Sequence, residues 1–245
     1  MKTIMSVDLE YDWDSKRCES IKVVPKLLDF FDDHDIRATF FVVTDLMDKN
    51  ESLIKEIAKK HEIASHSCTH APLTKVSREQ LEKEVRDSKK KIESLKIRCK
   101  GFRAPMYLVP KNLHKLLKKH SYKYDSSHTK SIFPGRYFNL TQSTKIYEKD
   151  GITEIPISTF KLPIPFGLSY MRLLYPFSRY LIKKKPVIFY LHPYELTDLK
   201  PKKEVPFYVK SLAMRRMGKK AWETLEETTK VLNTKFVACE DYLEI

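Results

Sequence analysis

Three short segments of the chain carry acidic and imidazole side chains at spacings that suit a metal site and proton transfer. They are Ser6-Val7-Asp8-Leu9-Glu10, His66-Ser67-Cys68-Thr69-His70 and Tyr190-Leu191-His192-Pro193. Two imidazoles four residues apart reach one cation if the backbone between them makes a helical turn, and a carboxylate from elsewhere completes a three-ligand site. Such a site keeps one coordination position open for water, so the pattern predicts a metal-dependent hydrolase.

Asp8 and Glu10 are two residues apart, so they share one face of an extended strand end. There, one carboxylate can bind a cation while the other moves a proton. On their own the two acids are a weak signal, because a solvated acidic loop with Asp12 and Asp14 would look the same. The histidines are what favour the metal-site interpretation.

Other hydrolytic chemistries fit the histidine segment less well. His66 and His70 have the spacing of the His-Glu-x-x-His zinc proteases, but Ser67 stands where those proteases have their glutamate base. No Gly-x-Ser-x-Gly elbow surrounds Ser67, so we expect it to make a loop-stabilising hydrogen bond rather than a nucleophilic attack. Cys68 is interpreted as a small packed residue.

Length and composition bound the kind of protein. The 245 residues suit one large α/β domain, which we predict over residues 1–245. The four cysteines form no Cys-x-x-Cys pair, which disfavours a disulfide framework or a zinc ribbon. Acidic residues begin at Asp8 with no apolar leader before them, so we expect a cytoplasmic protein that reaches the inner face of the membrane.

The net charge of +14 favours an acidic partner, such as a phosphorylated sugar, an anionic membrane or a nucleic acid. A solvated lysine-rich surface explains the charge as well, because the lysines are scattered along the chain. The basic clusters at 89–91 and 215–220 come without a recognised nucleic-acid module, so no nucleic-acid partner is expected.

Short apolar runs alternate with longer helical patterns, which predicts β/α units. The predicted strands are 3–7, 38–43, 62–64, 101–102, 152–157, 187–191 and 236–238, and the predicted helices include 21–31, 53–58, 113–117 and one that begins at a Ser77-x-x-Gln80 capping box. In that last helix Leu81, Val85, Ile92 and Leu95 fall on one face. Repeated units of this kind give a parallel sheet, either doubly wound or closed into a barrel. The candidate side chains each follow an apolar run, as active-site groups do at the C-terminal rim of a barrel, and this favours the barrel.

Five motifs in order resemble the polysaccharide deacetylases of carbohydrate esterase family four, which share the nodulation-factor deacetylase homology domain. The motifs are Asp8-Leu9-Glu10, the His66 to His70 segment, Arg103-Ala104-Pro105, Tyr124-Asp125-Ser126-Ser127 and Leu191-His192-Pro193. The resemblance covers nearly the whole chain. It implies a distorted, incomplete (β/α) TIM-like barrel of seven to eight strands with a divalent metal, commonly zinc.

The resemblance also implies roles for individual residues. The metal ligands would be Glu10, His66 and His70. This chain spaces its first acids as Asp-Leu-Glu, whereas the family usually has adjacent aspartates, and a branch that contains a lipid-linked aminoarabinose deformylase shares the wider spacing. Asp12 is therefore a second candidate for the carboxylate ligand.

The proton-transfer roles follow from the same motifs. Asp8 would be the general base and Arg103 its partner, while His192 would be the general acid and Asp125 would orient it. The backbone N–H of Met106 would complete the oxyanion site. Leu191 would line the pocket for the acyl methyl group. The remaining histidines, His34, His61, His114, His120 and His128, are assigned no role.

The resemblance implies hydrolysis of an N-acetyl or N-formyl group on an amino sugar, in a glycan or a lipid-linked precursor. The apolar stretch from Leu162 to Ile182, followed by Lys183-Lys184-Lys185, suits peripheral contact with an anionic membrane over 162–185. A buried barrel helix or a subunit interface explains the same stretch. The alternatives for function are a same-fold hydrolase of another amide and a non-catalytic protein that binds a glycan precursor or a membrane surface. The sequence does not predict the oligomeric state.

Overall fold

The computed structural model describes residues 2–14, 16–133, 137–183, 186–200, 211 and 214–245. The strands are β1 Lys2–Leu9, β2 Ala38–Val42, β3 Glu62–Ser65, β4 Gly101–Phe102, β5 Tyr124–Asp125, β6 Ile132–Phe133, β7 Tyr137–Phe138, β8 Tyr147–Lys149, β9 Ile152–Glu154, β10 Ile188–Leu191 and β11 Lys235–Val237. The helices are α1 Val24–Asp33, α2 Glu51–Ala58, α3 Arg78–Ser94, α4 Leu113–Lys119, α5 Leu168–Leu173, α6 Ser178–Leu181, α7 Lys219–Leu232 and α8 Cys239–Leu243. Short 3₁₀ turns cover Asp12–Asp14, Glu19–Val23, Thr44–Lys49, Pro105–Tyr107 and Pro193–Leu196.

The main sheet is mixed and curled. Its strand order is β10-β1-β2-β3-β4-β5-β9-β8, with β11 beside β1, and β8 is the strand that runs antiparallel to its neighbour. The two edges, β10 and β8, do not pair with each other in the described part of the chain. Isolated bridges, such as the one between Gly167 and Tyr190, fill part of the gap. The predicted α/β fold, an incomplete (β/α) barrel, is confirmed.

All seven predicted strands are present, with ends that differ by up to three residues. The sequence missed β5, β8 and the β6–β7 hairpin, because two or three residues are too few to show a period of two. The predicted start of α3 is confirmed, since the Ser77 hydroxyl accepts the N–H of Gln80 at 3.1 Å. On that helix Val85 and Ile92 are fully buried.

Alternation along the strands separates two cores. The larger core lies between the sheet and the helices and includes Met5 and Val7 of β1. The smaller core fills the inside of the curled sheet and includes Ile4, Phe41 and Tyr124. Side chains that continue the inner row past the strand ends therefore meet at the C-terminal rim.

The predicted membrane-contact stretch folds into α5 and α6, which are separated at Pro176. Leu162, Phe177 and Tyr180 are exposed there, with 47%, 68% and 62% of their surface accessible. Lys184 and Lys185 lie outside the described residues. Among the helices that the structure describes, none has the length and hydropathy needed to cross a membrane.

His61 precedes β3 and makes the stability of the fold depend on pH. Its ring packs against Phe31 and Phe40, and its Nδ1 accepts the N–H of Ala38 at 3.2 Å, which requires a neutral imidazole. Burial lowers the pKa of His61 to about 4. In the unfolded chain the pKa returns to about 6.5, so the unfolded state binds more protons between these two values. The free energy of unfolding should therefore fall as the pH drops from about 6.5 to about 4.

Replacing His61 with asparagine should remove this contribution, because its Oδ1 can accept the same N–H without titrating. Urea unfolding at several pH values measures the free energy of unfolding as a function of pH. Between pH 4 and 6.5 this free energy should change with pH more steeply in wild type than in His61→Asn, by up to about 1.4 kcal/mol per pH unit. His34→Asn, at an exposed position, is the matched control and should keep the wild-type slope. Equal slopes for wild type and His61→Asn would contradict the prediction.

Candidate metal centre and active site

Glu10, His66 and His70 come together at the C-terminal rim. The Glu10 Oε2 atom lies 3.2 Å from His66 Nε2 and 2.7 Å from His70 Nε2, and all three side chains are buried. One ligand atom from each residue lies within 4.8 Å of the others. Burial raises the pKa of the Glu10 carboxyl, but His70 and His192 and the hydrogen bonds from the imidazoles outweigh burial and hold that pKa well below its usual range.

This donor set fits a divalent metal. The Nδ1–H of His66 donates to the Arg103 carbonyl at 2.8 Å, which fixes the tautomer that leaves Nε2 facing Glu10. Two imidazole nitrogens and one carboxylate oxygen are a common three-ligand set for zinc. These residues would therefore hold the metal that the motifs predict.

Asp12, the second candidate for the carboxylate ligand, has other partners. Its carboxylate accepts the N–H of Glu19 at 2.6 Å and contacts the N–H and hydroxyl of Ser20, so it caps the 3₁₀ turn Glu19–Val23. The geometry favours Glu10 as the ligand.

The segment between the two histidines is a loop, so the imidazoles meet without the helical turn that their spacing would allow. Ser67 and His70 have left-handed backbone dihedrals, with φ of 66° and 62°. The Ser67 hydroxyl accepts the N–H of His70 at 3.2 Å, which confirms the hydrogen-bonding role predicted for Ser67. Backbone of this kind is costly for residues other than glycine and persists where surrounding contacts hold it.

Glu84 of α3 supplies those contacts, although no motif in the sequence points to this residue. Its buried carboxylate accepts the N–H of Cys68 at 2.8 Å and both the N–H and the hydroxyl of Thr69, at 3.0 and 2.7 Å. In a helical sequence a buried glutamate looks the same as a solvent-exposed one, so nothing in the sequence distinguishes Glu84 from the exposed glutamates of α3.

Glu84→Ala should weaken zinc binding by about 10- to 100-fold, because the loop that orients His66 and His70 loses its anchor. It should also lower the free energy of unfolding by about 1–3 kcal/mol, since buried N–H groups lose their acceptor. Zinc competition against a chromophoric chelator measures the affinity. Glu79→Ala, on the exposed side of the same helix, is the control, and wild-type affinity in folded Glu84→Ala would refute the anchoring role.

Asp8 pairs with Arg103 as predicted. The Asp8 Oδ1 atom accepts from Arg103 Nη1 at 2.5 Å, and the guanidinium is fully buried over the ring of Phe41. Arg103 also donates to the carbonyl and hydroxyl of Ser126, at 3.1 and 3.0 Å. One carboxylate oxygen of Asp8 is thus held in place, while Oδ2 faces His192 at 3.8 Å.

His192 is oriented by Glu195, so the predicted role of Asp125 is wrong. The His192 Nδ1 atom lies 2.9 Å from Glu195 Oε1, and Arg172 donates to the other oxygen of Glu195 at 3.0 Å. The Nε2 atom faces Asp8 and Glu10, at 3.8 and 3.7 Å. Burial disfavours the imidazolium, but the carboxylates of Glu10, Glu195 and Asp8 outweigh burial and raise the pKa of His192 to about 9.

Leu191 does not occupy the predicted place on the pocket wall. It belongs to the larger core with Val7 and Phe189, on the helix side of the sheet. Its neighbour Tyr190 lies on the inner side, with its ring centroid 5.7 Å from those of His192 and Tyr107. The alternation of strand side chains could have shown this, because His192 and Tyr190 are two residues apart.

Met106 lies in the turn Pro105–Tyr107 that follows Arg103, with φ of 56°. The residue before the turn is held in place, because the N–H of Ala104 donates to the Ser127 hydroxyl at 2.8 Å. Ser127 donates in turn to Asp125 Oδ1. Asp125 therefore supports the turn that carries Met106 rather than the imidazole of His192.

A second buried group, whose histidines had no predicted role, lies where α4 meets β5 and β9. It consists of His114, His128 and Glu154, with Asp125 beside them. Burial and the neighbouring Glu154 carboxylate raise the pKa of Asp125 well above its usual range, and burial raises the pKa of Glu154 to about 7. Asp125 and His128 are three residues apart, but His114 precedes them on α4 and Glu154 follows them on β9, so their spacing alone does not indicate the group.

The fold and the site define an incomplete α/β barrel with a candidate metal centre at its C-terminal rim. Residues 9–124 match the polysaccharide deacetylase family, and residues 131–243 match a domain of unknown function, DUF3473. The resemblance drawn from the five motifs is confirmed by this match to the polysaccharide deacetylase family over residues 9–124.

Three similar proteins illustrate the relationship. A peptidoglycan-N-acetylglucosamine deacetylase of Bacillus cereus is 33% identical over 91 residues, which are 37% of this chain and 31% of the relative. A chitooligosaccharide deacetylase of Sinorhizobium fredii is 33% identical over 69 residues, 28% of this chain and 32% of the relative. The crystal structure of a Bacillus anthracis pseudoenzyme of family CE4 aligns with a TM-score of 0.59 at 14% identity, over 98% of this chain and 65% of that one. The matched region spans about a third of the two relatives, and the structural likeness is evidence for the fold alone.

Proposed function

We propose that the protein is a metal-dependent hydrolase that removes an N-acetyl or N-formyl group from an amino sugar. The convergence of three groups at the barrel rim supports this. The Glu10, His66 and His70 cluster lies against both the Asp8–Arg103 pair and the His192–Glu195 pair, and the Nε2 atom of His192 is 3.7 Å from Glu10 and 3.8 Å from Asp8.

The metal, most simply zinc, would be held by Glu10, His66 and His70. When bound, it would make water more acidic and polarise the acyl oxygen. Asp8 would take the proton of the attacking water with its Oδ2 oxygen, because its Oδ1 oxygen is bound to Arg103.

His192 would protonate the departing amine. Glu195 would hold the ring by Nδ1, so that Nε2 points to the side where Asp8 lies. The backbone N–H of Met106 would donate to the developing oxyanion, and Tyr190 and Tyr107 would border the acyl group.

The substrate class is proposed from the relatives. Those proteins are named for peptidoglycan N-acetylglucosamine and for chitooligosaccharides, which are both polymers of N-acetylated amino sugars. A cytoplasmic location is also part of the proposal. It would favour a biosynthetic precursor, and a lipid-linked one would bring the enzyme to the inner face of the membrane.

The proposal is tested by incubating zinc-loaded protein with N-acetylglucosamine oligomers, peptidoglycan fragments and N-formylated amino sugars. Released acetate, formate and free amine are then measured. Activity that is lost in His66→Ala would support a hydrolase. Full metal occupancy and sugar binding without release of any acid would favour the non-catalytic binding protein.

Peripheral membrane contact is a further part of the proposal. The backbone segments that carry Leu162 and Tyr180 are joined because the Lys161 ammonium donates to the Tyr180 carbonyl at 2.8 Å. The Arg179 guanidinium lies 4.8 Å from the Tyr180 ring centroid. Exposed aromatic groups flanked by cations suit an anionic bilayer surface.

Flotation with vesicles rich in phosphatidylglycerol tests the membrane contact. Wild type should float and Phe177→Ser/Tyr180→Ser should not. Val231→Ser, at another exposed apolar position on α7, is the control and should float. A wild-type protein that stays at the bottom of the gradient would remove this part of the proposal.

A further inference from the structure

A second cluster of metal-ligating side chains lies where α4, β5 and β9 meet. His114 and His128 are 2% and 8% exposed, and Asp125 and Glu154 are fully buried. The His114 Nε2 atom lies 2.9 Å from Glu154 Oε2 and 3.5 Å from Asp125 Oδ2, and His128 Nδ1 lies 3.7 Å from Glu154 Oε2.

Glu154 is held as metal ligands are held. Its Oε1 oxygen accepts the N–H groups of Ser127 and His128, at 3.1 and 2.8 Å, so that Oε2 is turned toward both imidazoles. Contacts of this kind fix the orientation of a ligating carboxylate.

Asp125 supplies an independent indication. Its Oδ1 oxygen accepts from Ser127, whereas its fully buried Oδ2 oxygen makes no hydrogen bond to any residue that the structure describes. A buried carboxylate oxygen without a hydrogen-bond donor is costly. A cation beside His114 Nε2 would satisfy it.

We infer that His114, His128 and Glu154, with Asp125 beside His114, form a second divalent-metal site, of the type that binds zinc. In a tetrahedral zinc site with bonds of about 2.0–2.1 Å, neighbouring ligand atoms are about 3.3–3.4 Å apart. The separations of 2.9, 3.5 and 3.7 Å lie on both sides of this value. Two neutral imidazoles and two carboxylates also balance the charge of one divalent cation.

The site is independent of the proposed catalytic one and has a structural role. The group ties α4 to β5 and β9, and Asp125 continues through Ser127 to Ala104, at the start of the turn that carries Met106. The ring of Tyr147 stacks on the imidazole of His128 and covers the site on one side. The Tyr147 hydroxyl contacts His128 Nδ1, so a metal bound by that nitrogen would displace this contact.

Metal counting in a variant without the first cluster tests the inference. His66→Ala/His70→Ala protein, stripped with chelator, reloaded with zinc chloride and desalted, should keep one equivalent of zinc by mass spectrometry, against two in wild type. Adding His114→Gln/His128→Gln should remove it. Adding His120→Gln, which changes the histidine at the end of the same helix α4, should not.

Folding is checked separately, because the cluster is buried. Zinc should raise the melting temperature of the His66→Ala/His70→Ala protein, and crystals of it should show anomalous zinc density among the four side chains. If that folded protein binds no zinc, or binds it elsewhere, the second site does not exist. If wild type binds one equivalent of zinc and His66→Ala binds none, the proposed function stands and this inference alone is overturned.

Discussion

Asp8→Asn is expected to lower kcat by about 10²- to 10⁴-fold while the protein keeps its metal. The substitution removes the proposed base and leaves Glu10, His66 and His70 unchanged. It also leaves the buried Arg103 without its charged partner, so a lower melting temperature is expected as well. Hydrolysis rate, bound zinc and circular dichroism are measured on the same preparation.

Two companion variants make this result specific. His66→Ala should lose both zinc and turnover, because it removes a ligand. Asp12→Asn should keep both and lose about 1 kcal/mol of stability, because Asp12 caps a 3₁₀ turn away from the cluster. Full turnover in Asp8→Asn would show that the base is another group, and loss of zinc in Asp12→Asn would reinstate Asp12 as the carboxylate ligand.

His192→Ala is expected to lose about 10²- to 10⁴-fold in kcat against an N-acetylated sugar, again with zinc retained. The loss should nearly vanish with 4-nitrophenyl acetate, because a nitrophenolate leaves without a proton. Asp8→Asn should lower kcat with both substrates, since attack by water needs the base in each case. The comparison of the two substrates thus separates the acid from the base.

Glu195→Gln extends the same test to the residue that positions His192. Like His192→Ala, it should lower kcat more with the N-acetylated sugar than with 4-nitrophenyl acetate, because Glu195 contacts the imidazole at Nδ1. If Asp125→Asn instead shows this substrate-dependent loss and Glu195→Gln does not, the orientation of His192 depends on Asp125 after all. Equal losses of His192→Ala on both substrates would exclude a general-acid role.

The sequence determined the parts of the site that are close along the chain. Alternation in β1 places Asp8 and Glu10 on one face, and the pair of histidines at 66 and 70 is specific enough to predict a metal cluster. Each motif follows a predicted strand, and parallel strands end at the same rim, so the meeting of Arg103 with Asp8 was also predictable. These inferences hold because strand period and strand direction are local properties.

Only the tertiary structure decided the partners that stand behind these groups. Glu195 contacts His192 from the 3₁₀ turn that follows it, but Arg172 reaches Glu195 from α5, and Glu84 reaches the histidine loop from the middle of α3. Asp125, which the motifs pair with His192, lies in the fold beside His114 and Glu154 instead. A buried carboxylate and a solvated one look alike in a sequence, because what distinguishes them is the set of donors that the fold brings within hydrogen-bonding distance.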